Sequence, residues 1–359
     1  MSKQSVSELD VRSALKNVQE PELHQDLVTL NMVKNITINE NTVGVTIVLT
    51  TPACPLKRVI EEDVRRVLLA LKGIETIHVT FDSNVKGDSR IFSQLQIPVK
   101  NIVAVASGKG GVGKSTVAAN IAIALAQTGA KIGLMDADIY GPNLPQMLGV
   151  SRMPPARDNK LVPAEAYGIK LMSMGFLVEA DQPIIWRGPM LHKAIRELVT
   201  DVLWEDLDYL IVDLPPGTGD AQMSLAQSVP LTGGIIVSTP QDVALADARR
   251  GLVAFQKLHV PILGIVENMA YFIAPDTGNR YEIFGYGGAE RAAEELGVPF
   301  LGRLPLDPRA REGGDTGKPV VVEFPDSEIA RSFGELAAKI AARISVLGFK
   351  TPSKFNIIQ

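Results

Sequence analysis

Short apolar runs alternate with stretches of helical periodicity along most of the second part of the chain. Such runs are typical of strands that are buried on both faces. Their alternation with helices predicts an α/β fold with a mostly parallel sheet covered by helices on both faces. The predicted strands are residues 102–106, 131–135, 209–212, 234–237, 262–266 and 300–304.

The first part of the chain mixes helices and strands at shorter intervals. Residues 32–38 and 42–49 predict a hairpin, and residues 74–81 a further strand. One helix is expected after Ser7, which can cap it, and an amphipathic helix over residues 55–71. We therefore expect a small α+β domain before the α/β domain. The predicted boundaries are residues 1–95 for the small domain, about 86–100 for a linker, 101–348 for the α/β domain and 349–359 for a tail.

The first strand of the α/β domain leads into GKGGVGKST, residues 108–116. The spacing of Gly108, Gly113, Lys114 and Ser115 fits a phosphate-binding P-loop followed by a helix. Glycines allow backbone N–H groups to converge on an anion, and the positive end of the helix points to the same place. Lys114 is expected to reach the terminal phosphates, and the Ser115 hydroxyl to ligate Mg²⁺. The expected nucleotide contacts here are Gly108, Lys109, Gly110, Gly111, Val112, Gly113, Lys114, Ser115 and Thr116.

Carboxylates follow two further strands where a nucleotide crevice is expected. Asp213 ends an apolar run in the Walker B manner and is predicted to hold Mg²⁺ through water. Asp138 could orient or deprotonate the attacking water, and Asp136 could order the loop. The alternative role for Asp138 is to cap the turn that follows at Gly141.

Composition narrows the function classes. Hydrophobic residues make up 46% and charged residues 21% of the 359 residues, as in globular proteins. The net charge is −4 without a basic block, which argues against nucleic acid as a partner. A long apolar span and a signal-type N-terminus are both missing from the sequence, so we expect a cytoplasmic protein without a membrane partner.

Cys54 is the only cysteine, so an intrachain disulfide is excluded. It precedes Pro55, the expected first residue of a helix, and would lie at or beside the N-cap. The helix dipole with Lys57 and Arg58 would stabilise a thiolate there, as in reactive or metal-binding cysteines. The alternative is a small buried cysteine that packs under the helix.

Several motifs together resemble one family. GKGGVGKS, with its additional Lys109, resembles the deviant P-loop ATPases of the MinD and ParA group. DLPPGTGD, ENMAYF, IIWRGPM and STPQD resemble the Mrp-type (ApbC-like) iron–sulfur carriers within that group. VQEPELHQDLVTLNMV followed by TTPACPL looks like the SufT-like iron–sulfur assembly domain, so the resemblance spans nearly the whole chain.

The resemblance implies a homodimer that hydrolyses ATP slowly, binds an iron–sulfur cluster and passes it to apo-proteins in concert with assembly factors. It implies catalytic roles for Lys109, Lys114 and Asp138, with Lys109 reaching the partner's nucleotide. It also implies that Asn268 contacts adenine and makes Cys54 a candidate cluster ligand. The local alternatives are a solvated loop lysine for Lys109 and a turn residue for Asn268.

The chain departs from the family where many members have Cys-x-x-Cys after ENMxYF. Ala274 and Thr277 occupy those positions, so a bridging thiolate site is missing there. Three interpretations stay open. Two copies of Cys54 with external thiols hold a cluster transiently, or a partner supplies most ligands, or the protein is an ATP-dependent assembly or partner-binding factor without a stable cluster. A spatial-organising ATPase of the MinD or ParA kind is a further alternative, against which the N-terminal domain argues.

Overall fold

The structure, a computed structural model, describes residues 6–177, 188–217 and 226–350. Within these ranges it divides into two compact units. The chain up to Lys86 together with the chain from Ala341 onward forms the first unit, and Gly87–Ile340 forms the second. The predicted linker is therefore largely part of the second unit, where residues 89–95 form a helix with Ile91 buried in the core.

The first unit is a small α+β module built on a three-stranded sheet. Ser7 caps its first helix in a capping box with Asp10. The predicted hairpin is present as an antiparallel pair, and the last strand runs parallel to the second. The elements are α1 (Glu8–Leu15), β1 (Gln19–Glu20), β2 (Gln25–Asp26), β3 (Val33–Asn39), β4 (Thr42–Leu49), α2 (Lys57–Leu69) and β5 (Thr76–Ser83).

The core of the first unit follows from the alternation of its strands. Inward positions of β4 are buried while its outward positions are partly exposed, so one face of the sheet packs against helices. Ile60, Val64 and Leu68 supply the apolar stripe of α2, at the spacing of one helix face. Val11 and Leu15 of α1 complete the same core.

The second unit contains an eight-stranded sheet in which the phosphate-loop strand is central. Its elements up to the second carboxylate strand are α3 (Ser89–Leu95), β6 (Val99–Ser107), α4 (Lys114–Gln127), β7 (Ile132–Asp136), α5 (Leu144–Met147), β8 (Ala164–Ala166), β9 (Ile169–Ser173), α6 (Gly188–Thr200) and β10 (Leu207–Asp213). The remaining elements are β11 (Gly233–Ser238), α7 (Asp242–Lys257), β12 (Ile262–Glu267), β13 (Phe272–Ile273), β14 (Arg280–Tyr281), α8 (Gly288–Leu296), β15 (Phe300–Arg303), α9 (Pro308–Thr316), α10 (Val320–Glu323) and α11 (Glu328–Lys350). The part of α11 from Ala341 onward belongs to the first unit.

The strand order is β15-β12-β11-β6-β10-β7-β9-β8, and every pairing is parallel except that of β8 with β9. All six predicted strands are present, which confirms the mostly parallel α/β fold. β8 and β9 were not predicted. Because β6 lies between β10 and β11, the loops at the carboxyl ends of three central strands converge on one crevice.

Candidate functional site

Two glycines shape the loop between β6 and α4, one through its backbone conformation and the other through close packing. Gly113 has φ +81°, a left-handed conformation, directly before the first turn of α4. Gly108 lies against α7, where an added Cβ would be 2.2 Å from the carbonyl carbon of Asp247. The loop thus has the form expected of a phosphate-binding loop, and its first glycine is required by packing against a neighbouring helix.

Lys114 and Ser115 meet Asp213 at the end of β10. The Lys114 Nζ lies 2.6 Å from one carboxylate oxygen of Asp213, and the Ser115 hydroxyl donates to the other at 2.5 Å. Lys114 and Asp213 are both buried. Burial raises the pKa of Asp213, and the Lys114 ammonium opposes that shift. The hydroxyl and carboxylate that were predicted to arrange Mg²⁺ are therefore adjacent, and they are the oxygen ligands that this ion prefers.

Asp138 lies within reach of the same lysine. Its Oδ2 is 4.0 Å from Lys114 Nζ, while its Oδ1 accepts from the backbone N–H groups of Tyr140 and Gly141. The geometry is compatible with both roles that the sequence predicts for Asp138. One oxygen holds the turn, and the other faces the P-loop lysine.

Asp136 is a fully buried carboxylate beside Asp213, its partner in the register of β7 with β10. Burial and the neighbouring Asp213 charge raise the pKa of Asp136 to about 7. Its Oδ1 accepts from the N–H of Asp138, and its Oδ2 accepts from the N–H of Leu144 and from the Ser173 hydroxyl. Asp136 therefore ties down both ends of the loop that carries Asp138, as the sequence predicted in outline.

Asn268 joins the phosphate loop to a neighbouring cavity. Its Nδ2 donates to the Val112 carbonyl oxygen at 2.8 Å, and a Cβ on Gly113 would lie 2.3 Å from that nitrogen. The cavity has a volume of about 440 Å³. Its walls include Gly113, Thr116, Asn268, Met269, Pro305 and Leu306. This is the place and composition expected of a pocket for a nucleotide base.

Lys109 is half-buried, and within the described ranges it forms no ion pair. Its carbonyl oxygen accepts from the Ser107 hydroxyl at 2.9 Å, which fixes the backbone at this point. The ammonium group is not tied to the P-loop acids in the way that Lys114 is. This arrangement is compatible with either role that the sequence left open for Lys109.

Glu267 was not singled out from the sequence. It is fully buried, and its two oxygens accept from the N–H groups of Gly287 at 3.0 Å and Ala289 at 2.7 Å. Arg303 Nε lies 3.3 Å from the same carboxylate. Glu267 thereby anchors the end of β12 directly before Asn268. The signal in the sequence was an acidic residue directly after the apolar run 262–266.

The hairpin of β13 and β14 contains the two positions at which many members of the resembled family have cysteines. Ala274 and Thr277 lie in its connecting turn, and Thr277 is exposed. Arg280 stacks between two aromatic rings, 4.1 Å from the Tyr271 centroid and 4.3 Å from the Tyr286 centroid. Arg280 thus links the second strand of the hairpin to two aromatic side chains.

Cys54 belongs to the first unit, and its predicted position is wrong in one respect. The helix α2 begins at Lys57 after Leu56, so Cys54 precedes the N-cap by two residues. Burial raises the pKa of the thiol, and the charges of Glu20 and Glu22 raise it further. The expected stabilisation of a thiolate is thus outweighed, chiefly because the sulfur is buried, although the Leu56 N–H and the Lys57 charge act in the predicted direction and lower the thiol pKa.

Two predicted motifs lie partly outside the described residues. These are IIWRGPM, of which residues 184–187 are outside, and DLPPGTGD, of which Thr218, Gly219 and Asp220 are outside. In the described parts of the chain there is no group of three or more His, Cys, Asp or Glu side chains that could hold a metal ion. Nor does any helix there have the length and apolar character needed to cross a membrane.

Comparison with known families matches both parts of the chain. A family profile described as NUBPL iron-transfer P-loop NTPase covers residues 98–341, and one described as iron–sulfur cluster assembly protein covers residues 8–81. An iron–sulfur cluster carrier protein of Synechocystis sp. is 52% identical, over 94% of this chain and 97% of its own. Proteins of that description from Deinococcus radiodurans and Escherichia coli are 49% and 42% identical, over 93% and 96% of this chain and 94% and 95% of their own.

Solved structures resemble the α/β part. A nucleotide-binding protein from Archaeoglobus fulgidus, in complex with ADP, is 35% identical with a TM-score of 0.58 over 68% of this chain and 96% of its own. The cell division ATPase MinD from Pyrococcus furiosus is 25% identical with a TM-score of 0.53 over 67% of this chain and 98% of its own. Both likenesses agree with a P-loop NTPase fold.

Proposed function

The chain belongs to the family of NUBPL-type iron-transfer P-loop NTPases, and from that membership we propose a homodimeric iron–sulfur cluster carrier in which Mg²⁺-ATP governs cluster uptake and release. It is a P-loop ATPase. The observation that carries the mechanism is the convergence of Lys114, Ser115 and Asp213, with Asp138 beside them. Apo iron–sulfur proteins and assembly factors are the proposed partners, and a single unbridged cysteine supports a cytoplasmic location.

ATP hydrolysis is proposed to use these residues in distinct roles. The Lys114 ammonium exchanges its contact with Asp213 for the β- and γ-phosphates. The Ser115 hydroxyl would hold Mg²⁺ directly and Asp213 through water. When bound, Mg²⁺ offsets the negative charge of the phosphate oxygens. The free oxygen of Asp138 orients the attacking water and accepts its proton. The Asn268 side-chain oxygen, opposite the amide nitrogen bound to Val112, accepts from the adenine amino group.

Two isosteric or truncating variants test these roles. Lys114→Ala should abolish ATP binding, because the phosphates lose their buried positive charge. Asp138→Asn should keep ATP binding and lose turnover, since the amide cannot accept the proton of water. Equilibrium binding and phosphate release should be measured on both. Parental ATP affinity in Lys114→Ala, or parental turnover in Asp138→Asn, would contradict the respective assignment.

Lys109 is proposed to act on the nucleotide of the partner subunit. A mixture of Lys109→Ala and Asp138→Asn subunits should then regain activity. In each mixed dimer, the Lys109→Ala subunit has an intact Asp138 and receives Lys109 from its partner. Random mixing predicts about a quarter of the parental turnover. A mixture no more active than the two separate variants would place the action of Lys109 within its own subunit.

Cys54 is proposed to contribute to cluster binding on the first unit, with Glu20 and Glu22 near its sulfur. A cluster with four cysteine ligands needs more thiolates than the two that a dimer supplies, so external or partner thiols complete it. The residues present therefore fit a transiently held cargo. Ala274 and Thr277 favour a second candidate, an ATP-dependent assembly factor that binds partners without a stable cluster.

Anaerobic reconstitution distinguishes these candidates. Iron and sulfide are counted per chain in the parent and in Cys54→Ser, with and without added thiol. Iron that is retained by the parent and lost from Cys54→Ser supports a carrier whose site is in the first unit. If neither protein retains iron, while apo-protein partners still bind in an ATP-dependent manner, the assembly-factor candidate is favoured.

A further inference from the structure

Ser173 ends β9 and is completely buried beside the catalytic crevice. Its hydroxyl donates to Asp136 Oδ2 at 3.0 Å. The Ser173 hydroxyl oxygen also accepts from the N–H of Gly175 at 2.9 Å, which caps the short 3₁₀ turn Met174–Phe176. One hydroxyl thus connects the end of an outer strand of the sheet with the carboxylate beside the P-loop acids.

The carboxylate that receives this bond controls the Asp138 loop. Asp136 accepts from the N–H of Asp138 at 3.1 Å and from the N–H of Leu144 at 3.2 Å, so it closes the loop at both ends. The loop also packs on the turn after Ser173, since a Cβ on Gly175 would lie 3.1 Å from Pro142. The position of Asp138 therefore depends on how the Asp136 side chain is oriented.

We infer that Ser173 is a positioning residue for ATP hydrolysis, which fixes the orientation of Asp136 and through it the placement of Asp138. This inference rests on the catalytic role proposed above for Asp138. Without the Ser173 hydroxyl, Asp136 keeps its two backbone donors and loses the side-chain donor that comes from outside the loop. The carboxylate can then rotate, and the loop follows it. A displacement of about 1 Å at a reacting group can lower a rate by about 100-fold.

The competing explanation is that Ser173 only caps the turn Met174–Phe176. The two explanations predict different losses. Loss of a cap lowers stability and leaves the rate of the folded enzyme unchanged. Loss of a positioning contact lowers kcat, while KM for ATP changes little because Lys114 and the P-loop are untouched.

The experiment measures kcat, KM for ATP and thermal unfolding of Ser173→Ala in the full-length protein. We expect kcat to fall by about 10- to 100-fold with KM within about threefold of the parent. Ser173→Cys keeps the side-chain volume with a weak donor and should give an intermediate kcat, which also covers the case that Ser173→Ala folds poorly. Ser327→Ala is the matched control, because the buried Ser327 hydroxyl accepts from the Ala330 N–H in the first turn of α11, so that its loss should lower stability and leave kcat unchanged.

The double variant Ser173→Ala/Asp138→Asn shows whether the loss of kcat in Ser173→Ala acts through Asp138. If Ser173 acts through Asp138, adding Ser173→Ala to Asp138→Asn causes no further loss of single-turnover rate. A parental kcat in Ser173→Ala, or a full additional loss in the double variant, would overturn the inference while the role of Asp138 stands. Parental turnover in Asp138→Asn alone would instead remove the proposed role of Asp138, and the inference with it.

Discussion

Gly108 offers the sharpest test of how the phosphate loop is held. A Cβ there would lie 2.2 Å from the Asp247 carbonyl carbon and 2.5 Å from the Ala248 nitrogen. Ordinary contact begins at 3.4 Å, so Gly108→Ala forces the loop and α7 apart by more than 1 Å. Both sides of the contact are backbone, and neither can relax by rotating a side chain. Overpacking of this kind costs about 1–3 kcal/mol.

Gly110 supplies a matched control within the same loop. Among the residues that the structure describes, a Cβ on Gly110 meets only Pro216, at 4.0 Å. Gly108→Ala should therefore lower the Tm of the nucleotide-free protein by about 2–10 °C, whereas Gly110→Ala should leave it within about 2 °C of the parent. Trp204 is fully buried in the second unit, so its fluorescence reports the unfolding of that unit.

The same displacement should weaken ATP binding, because the loop N–H groups no longer converge on one anion. We expect at least about a 10-fold loss of affinity in Gly108→Ala, measured by equilibrium titration. A Gly108→Ala protein with parental Tm and parental ATP affinity would refute the reasoning. It would mean that α7 can move away from the loop without loss of stability, and that packing against α7 does not determine the loop conformation.

Three further predictions concern single side chains. The folded-state pKa of Asp136, about 7, lies above its unfolded value. Its contribution to stability is therefore present at low pH and is lost as the pH rises from about 4 to about 7. Asp136→Asn should flatten that part of a Tm–pH profile measured without Mg²⁺ or nucleotide. Glu22→Gln should make alkylation of Cys54 by iodoacetamide up to about twofold faster at neutral pH, because one charge that raises the thiol pKa is removed while burial, the main cause, remains. Asn268→Ala should weaken ATP binding by about 1–3 kcal/mol in a calorimetric titration, since it leaves the Val112 carbonyl oxygen without its donor.

The sequence predicted the central strands well because they are buried on both faces and therefore appear as unbroken apolar runs. β9 was missed because Lys170 interrupts its short run, and β8 because three residues carry too little pattern. The segment taken for a linker forms the helix Ser89–Leu95, whose one buried residue, Ile91, gives almost no periodic signal. Short elements on the margin of a sheet are specified by tertiary contacts rather than by local pattern.

In the candidate site too, residues in local motifs could be predicted, and residues that act through long-range contacts could not. Lys114, Ser115 and Asp138 could be predicted as site residues because strand-loop-helix motifs place side chains at fixed offsets, and the structure brings these three together. The role proposed for Ser173 could not be predicted in this way, because it rests on a bond to Asp136, a residue remote in sequence. For Cys54, the neighbouring Lys57 and Arg58 predicted a stabilised thiolate, but burial of the sulfur raises its pKa most, and Glu20 and Glu22, brought near by folding, raise it further. The spacing of residues along the chain does not show which charges folding brings together.

The bond from Asn268 to Val112 has a consequence for how affinity is divided between folding and binding. The amide orders the phosphate loop as part of the native structure, so the conformational entropy of that loop is lost when the chain folds. Nucleotide binding then begins from a preorganised loop and does not have to order it. The difference in affinity between a nucleoside diphosphate and a triphosphate should accordingly reflect the contacts of the terminal phosphate alone. If Lys114 and Asp138 act as proposed, discrimination between these two states is concentrated at these residues and the γ-phosphate, and the proposed base pocket serves both states equally.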